Sequence, residues 1–148
     1  MQCIPHLAAN AKQLYVFQRT PASVDVRGNR PTDSEWAKSL ETGWQRRRIE
    51  NFQVLTCGGY SDEDLVADQW TDAPHRLHAA IAATGWVDLP QAELLRLAEL
   101  IDFAKMEDVR ARVAEVVKDP VTAEALKPWY RPFCKRPCFH DEYLPTFN

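Results

Sequence analysis

One short apolar run in this chain has the character of a β-strand, and almost everything after it reads as helix. Leu14, Tyr15, Val16 and Phe17 form a compact segment with aromatic and β-branched side chains, which predicts a buried strand. A lone strand leaves its backbone N–H and C=O groups without ladder partners. A chain of this pattern is therefore either wholly helical, with a false strand, or one part of a sheet whose other strands lie elsewhere. The choice rests on the residues around the strand.

Residues 3–12 predict a short helix with Ile4, Leu7, Ala8 and Ala11 on one side. Residues 21–31 contain Pro21, Gly28 and Pro31 among polar residues and read as a loop. A helix capped by Thr32 or Asp33 runs through Trp36, Leu40, Trp44 and Arg47, and Cys57-Gly58-Gly59 breaks the pattern. Ser61, followed by the acids at 62–64, resembles an N-cap for a helix bearing Leu65, Val66 and Trp70. A further short helix covers about 75–84. The longest helical signal begins at Asp88 with Pro90 in its first turn. Its stripe of Leu94, Leu97, Ala98 and Ile101 shifts near Lys105–Asp108 and resumes at Val109, Val113 and Val117, which leaves open one bent helix or two. Asp119-Pro120 opens a last helix through Leu126, and the proline- and aromatic-rich tail is expected to be irregular but packed.

The bulk numbers exclude several classes. The chain has 148 residues, 45% hydrophobic and 26% charged, which suits one globular domain. A net charge of −3 argues against nucleic acid as a partner. No apolar run reaches the roughly 20 residues that span a bilayer, so no membrane is expected. The first residues, MQCIPHLAANAKQL, lack a signal-peptide pattern, and the cytoplasm with reduced thiols is the default for Cys3, Cys57, Cys134 and Cys138. Cys134 and Cys138 lack the shorter spacing and second pair of a metal knuckle, and no metal site is expected. His75 and His78 stand three apart, but no cysteine or acid completes a ligand set.

The end of the strand carries chemistry. In a dinucleotide-binding unit the second strand ends beside the adenosine ribose. An acid there accepts the 2′-hydroxyl of NAD, whereas an arginine accommodates the 2′-phosphate of NADP. Residues 3–17 fit the helix and second strand of such a unit, which puts Arg19 and Thr20 at the discriminating position. A guanidinium fork and a hydroxyl suit phosphate oxygens. Alone the signal is ambiguous: an arginine after a strand is usually a solvated residue, and the glycines that should precede the helix are absent, since the first is Gly28.

Two strings resolve the ambiguity. QCIPHLAANAKQLYVFQRTP resembles the segment that follows the second Gly-rich loop in Baeyer–Villiger monooxygenases, a branch of the class B flavoprotein monooxygenases. LKPWYRPFCKRPCFHDEYLPTFN resembles a second segment of that family, whose Lys-Arg-Pro lies where the NADP domain returns to the flavin domain. The resemblance is close over about 1–33 and 119–148 and loose between. It implies an α/β fold: a partial Rossmann-type NADP-binding domain with a large helical insertion, helix-dominated in this fragment. Residues 1–31 would be the second half of the NADP-binding βαβ unit, with its strand at about 14–17. Residues 32–127 would be the helical insertion, and 128–148 an irregular return segment. It further implies FAD, held by a domain absent here, and NADPH, with O2 and a small-molecule ketone as substrates and an ester or lactone as product. The residues that match family positions are Arg19 and Thr20 at the 2′-phosphate, Lys135 as a second basic residue near it, Gln2 at the pyrophosphate end of the helix, and Arg136 as the catalytic arginine. A fixed cation there stabilises negative charge as it develops.

The family's FAD-binding unit and its His- and Trp-containing fingerprint are missing, so the chain is expected to be a fragment, inactive alone. The alternative is a non-catalytic helical interaction module derived from a monooxygenase; a third idea, a small metal or redox protein using Cys134 and Cys138, would require bound metal. Arg46-Arg47-Arg48 read as one solvated helical turn, His140 as a surface residue paired with its acidic neighbours, and the tryptophans as core and contact residues.

Overall fold

The computed structural model describes residues 1–85, 88–131 and 134–148 and is dominated by helix. In chain order the elements are α1 Ile4–Asn10, β1 Val24–Asp25, α2 Ser34–Lys38, α3 Trp44–Thr56, α4 Gln69–Ala83, α5 Gln91–Val116, α6 Pro120–Leu126, β2 Cys138–Phe139 and a 3-10 turn at Pro145–Phe147. They fall into two compact units. One joins Met1–Arg27 to Asp102–Asn148, and the other is Gly28–Ile101. The expected boundaries at 31 and 127 are not those units: residues 102–127 belong with the two ends of the chain.

In the first unit, the second half of α5 buries Met106, Val109 and Val113 along one face. Val24, Val113, Val117, Ala123, Leu126, Tyr143 and Leu144 form its core, with Ile4 and Phe147 packed against it. Full burial of each aliphatic side chain contributes about 1.5–3 kcal/mol, so this cluster decides where the segment 102–127 belongs. Asp119 caps α6 by accepting the Thr122 N–H, as the sequence predicts. Asn148 closes the end of α5: its side-chain nitrogen donates to the Val116 carbonyl and its side-chain oxygen accepts the Lys118 N–H.

The expected strand over 14–17 does not form: residues 13–18 have no regular secondary structure. Burial alternates there, with Leu14 and Val16 half-buried and Tyr15 and Phe17 71% and 92% exposed. That is the two-residue period of an extended chain. A strand exists only through its ladder, and no partner backbone lies beside this segment among the described residues. The sheet forms elsewhere. β1 and β2 pair in parallel, Val24 opposite Cys138 and Asp25 opposite Phe139.

α5 is one helix through the shift in its apolar stripe. The interruption is Lys105, which is buried and places Nζ 2.6 Å from Asp25 Oδ2 on β1. Arg112 adds a second tie, donating from Nη1 to the Val24 carbonyl. A charge hidden in an apolar stripe reads as a break in the sequence and acts as a clamp in the fold.

In the second unit the expected helix through Trp36 to Arg47 is two helices. Asp33 caps α2, accepting the Glu35 and Trp36 N–H groups. Gly43, at φ +89, then turns the chain before α3, in a left-handed conformation that favours glycine. No helix starts at Ser61. Its hydroxyl donates to the Glu63 carbonyl in a turn, and α4 begins only after Asp68, which accepts the Trp70 N–H. Phe52 of α3 meets Trp70 of α4 edge to face, with ring centroids 6.5 Å apart. Of the tryptophans expected in cores and contacts, Trp36 and Trp129 are 46% and 71% exposed, and Trp86 lies outside the described residues. The packed tail holds for Tyr143 and Leu144, which are buried; Pro132 and Phe133 lie outside the described residues. No helix among the described residues is long and apolar enough to cross a membrane.

The Lys105–Asp25 pair gives a stability test. Lys105→Met should leave the Asp25 carboxylate poorly solvated and uncompensated, at a cost of about 3–5 kcal/mol. Adding Asp25→Asn should recover a large part of that loss. Urea unfolding midpoints of the single and double variants measure both; a double variant no more stable than Lys105→Met would show that the stranded charge is not the cause.

Candidate functional site

The candidate site grows from the two-residue parallel ladder of the first unit. Cys138 N–H donates to the Ser23 carbonyl at 3.1 Å and His140 N–H donates to the Asp25 carbonyl at 2.9 Å. Because the pairing is parallel, the residues just before β1 and just before β2 enter the ladder at the same end. Arg19 and Thr20 precede Val24, and Lys135 and Arg136 precede Cys138. Topology thus gathers two cationic segments that are far apart in sequence.

Arg19, Lys135 and Arg136 are exposed, and Thr20 is half-buried. The guanidinium groups of Arg19 and Arg136 have no hydrogen bond or ion pair among the described residues. Gln2 is exposed just before α1, and no contact joins it to the other four. The Lys135 ammonium lies over the ring of Tyr130, 4.5 Å from its centroid. The Tyr130 hydroxyl in turn accepts the Ser23 N–H at 2.9 Å. The sequence reading missed Tyr130 and Ser23; the only signal pointing to Tyr130 was its place in the tail string.

The chemistry of this group is that of an anion site. It offers a guanidinium fork, an ammonium and a hydroxyl at an exposed surface, with no carboxylate among the residues named. Such a donor set fits a phosphate monoester. Beside residues 16–18 lies a cavity of about 250 Å³ lined by Val16, Gln18, Val121, Thr122, Leu126 and Phe147, with no charged group. Gln18 crosses its edge, donating to the Ala125 carbonyl.

The remaining candidates resolve into structure. His75 and His78 do not share a metal site. His75 Nε2 is 2.8 Å from Asp64 Oδ2, and His78 Nε2 is 2.6 Å from the Gly59 carbonyl oxygen. No group of three metal-ligating side chains occurs among the described residues, and all four cysteines are free thiols. His140 takes part in a local turn, where its Nδ1 accepts the Glu142 N–H. Of the three arginines on α3, Arg46 pairs with Glu50 and Arg47 with Glu63.

No protein-family model matches the chain. Individual relatives do. Over all 148 residues it is 60% identical to pentalenolactone D synthase of Streptomyces exfoliatus, covering 25% of that protein. It is 55% identical to a Baeyer–Villiger monooxygenase of Stachybotrys chlorohalonatus, again over its whole length and 24% of the relative. Along its whole length the chain is similar to one stretch of a Baeyer–Villiger monooxygenase. It spans about a quarter of the length of these curated relatives. The fold agrees with that similarity. A polycyclic ketone monooxygenase from the thermophilic fungus Thermothelomyces thermophila superposes with a TM-score of 0.79 at 41% identity, over 99% of this chain and 24% of that one.

The hydrogen bonds around Asp64 in the second unit carry a pH signature. Burial raises the pKa of the Asp64 carboxyl, but hydrogen bonds from the Thr71 hydroxyl, the Ala67 N–H, the His75 ring and the Val66 N–H outweigh it and hold the group at about 2. A depressed folded-state pKa stabilises the fold above the unfolded value of 3.8, and that contribution is lost as pH falls towards 2. Asp64→Asn should therefore cost about 1.5–3 kcal/mol at neutral pH, with the deficit shrinking between pH 4 and pH 2. Chemical denaturation across that range measures it, and a deficit independent of pH would show that the charge is not what the cluster reads.

Proposed function

We propose that this chain supplies the 2′-phosphate recognition and one catalytic arginine of an FAD- and NADPH-dependent monooxygenase that inserts one oxygen atom of O2 into a ketone, giving an ester or lactone. The observation that supports this reading is the parallel ladder, whose two strands are entered at one end from the segments that carry Arg19–Thr20 and Lys135–Arg136. Similarity to Baeyer–Villiger monooxygenases supports a nucleotide phosphate among possible anions.

FAD would supply the oxygen-transfer chemistry and NADPH the hydride, and the protein supplies position and field. Here Arg19 and Thr20 hold the adenosine 2′-phosphate, the guanidinium through its fork and the hydroxyl through one further donor. Lys135 adds a compact positive charge to the same phosphate. Gln2, at the entry to α1, serves the pyrophosphate end. These residues orient the nucleotide and discriminate NADPH from NADH, which lacks the phosphate.

Arg136 has a different task. Its guanidinium stays protonated at any working pH. Beside the ketone it would stabilise negative charge as it develops on the substrate. Its neighbour Lys135 serves the nucleotide, so the Lys-Arg pair couples cofactor to substrate through adjacent residues. On this reading α1 and the extended residues 14–17 would be the helix and second strand of a Rossmann-type NADP-binding unit. Four free thiols suit a reducing compartment such as the cytoplasm.

Two substitutions in a full-length monooxygenase carrying this segment test the roles separately. Arg19→Ala should weaken NADPH by roughly ten- to a hundredfold, the loss of one charge-assisted contact of about 1.5–3 kcal/mol, and leave NADH nearly unchanged. Equal losses for both nucleotides would remove Arg19 from the phosphate site. Arg136→Ala should leave NADPH binding largely intact and lower ester formation about 10²–10³-fold, with poor rescue by Lys. Ester formed per NADPH consumed is the readout; coupling near the wild-type rate would remove Arg136 from the chemistry.

A further inference from the structure

Lys135 and Arg19 are on flexible side chains, and the ladder that brings their segments together is two residues long. Something must hold the two segments in a fixed relation if both are to reach one phosphate. We propose that Tyr130 is a positioning residue for the 2′-phosphate site, holding Lys135 with its ring and the Arg19–Ser23 segment with its hydroxyl. The assignment rests on the phosphate reading given above.

A lysine side chain carries about 2 kcal/mol of rotamer entropy, which works against any contact that must order it. Over the Tyr130 ring, at 4.5 Å from the centroid, one side of the ammonium is already held. The ring attracts the cation without using up an N–H in a hydrogen bond, so the donors stay available to an anion. Tyr130 is itself anchored. It is half-buried, it meets the Trp129 ring edge to face, and it follows the buried Pro128, whose carbonyl accepts Arg110 Nη1 at 2.9 Å.

The hydroxyl acts on the other segment. Ser23 is 5% exposed and stands immediately before β1. Its carbonyl accepts the Cys138 N–H, while its own N–H finds the Tyr130 hydroxyl. The Ser23 hydroxyl is buried without a hydrogen-bond partner, so it is through its backbone that Ser23 is fixed. Thr20 is three residues and Arg19 four residues upstream. One side chain therefore touches both cationic segments, and its two attachments can be removed one at a time: Tyr130→Phe keeps the ring and loses the hydroxyl, and Tyr130→Leu loses both.

The test uses the 148-residue chain itself, with nuclear magnetic resonance titration by 2′,5′-ADP and by 5′-AMP, which differ in the 2′-phosphate. The wild-type chain should prefer 2′,5′-ADP by about tenfold, the scale of one charge-assisted hydrogen bond. Lys135→Ala and Tyr130→Leu should each remove most of that preference and leave 5′-AMP binding unchanged. Tyr130→Phe should lower it about threefold and speed hydrogen exchange at the Ser23 amide. Without any ligand, the Lys135 side-chain protons should show an upfield ring-current shift that survives in Tyr130→Phe and vanishes in Tyr130→Leu. This last readout, with the Phe variant, still decides the matter if Tyr130→Leu fails to fold. No preference in the wild-type chain, or a preference untouched by Lys135→Ala, overturns the phosphate reading and the positioning role with it. A preference lost in Lys135→Ala but kept in both Tyr130 variants overturns the positioning role alone.

Discussion

Two residues of parallel ladder join the front of this chain to its tail, and the candidate site exists only because they do. Closing a loop of more than a hundred residues costs roughly 4–5 kcal/mol in chain entropy. Two ladder hydrogen bonds contribute about 1–3 kcal/mol net, which does not cover it. The balance comes from what the ladder is packed on. Val24 and Leu144 are each 1% exposed, and each such side chain contributes about 1.5–3 kcal/mol by burial. Hydrophobic burial, and not the ladder itself, pins β1 against β2; the ladder sets register and direction.

Direction matters most for function. An antiparallel pairing of the same two segments would send Arg19 and Lys135 to opposite ends. In the parallel pairing both segments enter the ladder at one end, and Tyr130 touches Ser23 of one and Lys135 of the other. The Lys105–Asp25 ion pair and the Arg112 contact to Val24 secure the same strand from α5. A candidate site of three exposed cations and a half-buried threonine thus leans on a buried charge pair between α5 and β1.

Much of the local structure was legible because it depends on neighbours in sequence. Asp33 and Asp119 cap helices as their positions predict, since a side-chain oxygen two or three residues before free amides needs no distant partner. Ser61 misled because its hydroxyl satisfied a turn, and Asp68 capped the helix instead. Lys105 misled because a lysine within an apolar stripe looks like a break until its partner is known. The Leu14–Phe17 segment has strand composition but no ladder here, since pairing is decided by another segment's backbone.

The identities of Arg19, Thr20, Lys135 and Arg136 as candidate residues came from the sequence alone, because a guanidinium or an ammonium carries its chemistry wherever it is placed. The likeness to Baeyer–Villiger monooxygenases was legible for the same reason: the strings around those residues are specific without any coordinates. What the sequence could not decide was that β1 and β2 pair, that they run parallel, and that Tyr130 stands between the two cationic segments. The strand pairing and the bond from Ser23 to Tyr130 join residues more than a hundred positions apart. Only packing of the whole first unit makes such contacts cost less entropy than they return in burial.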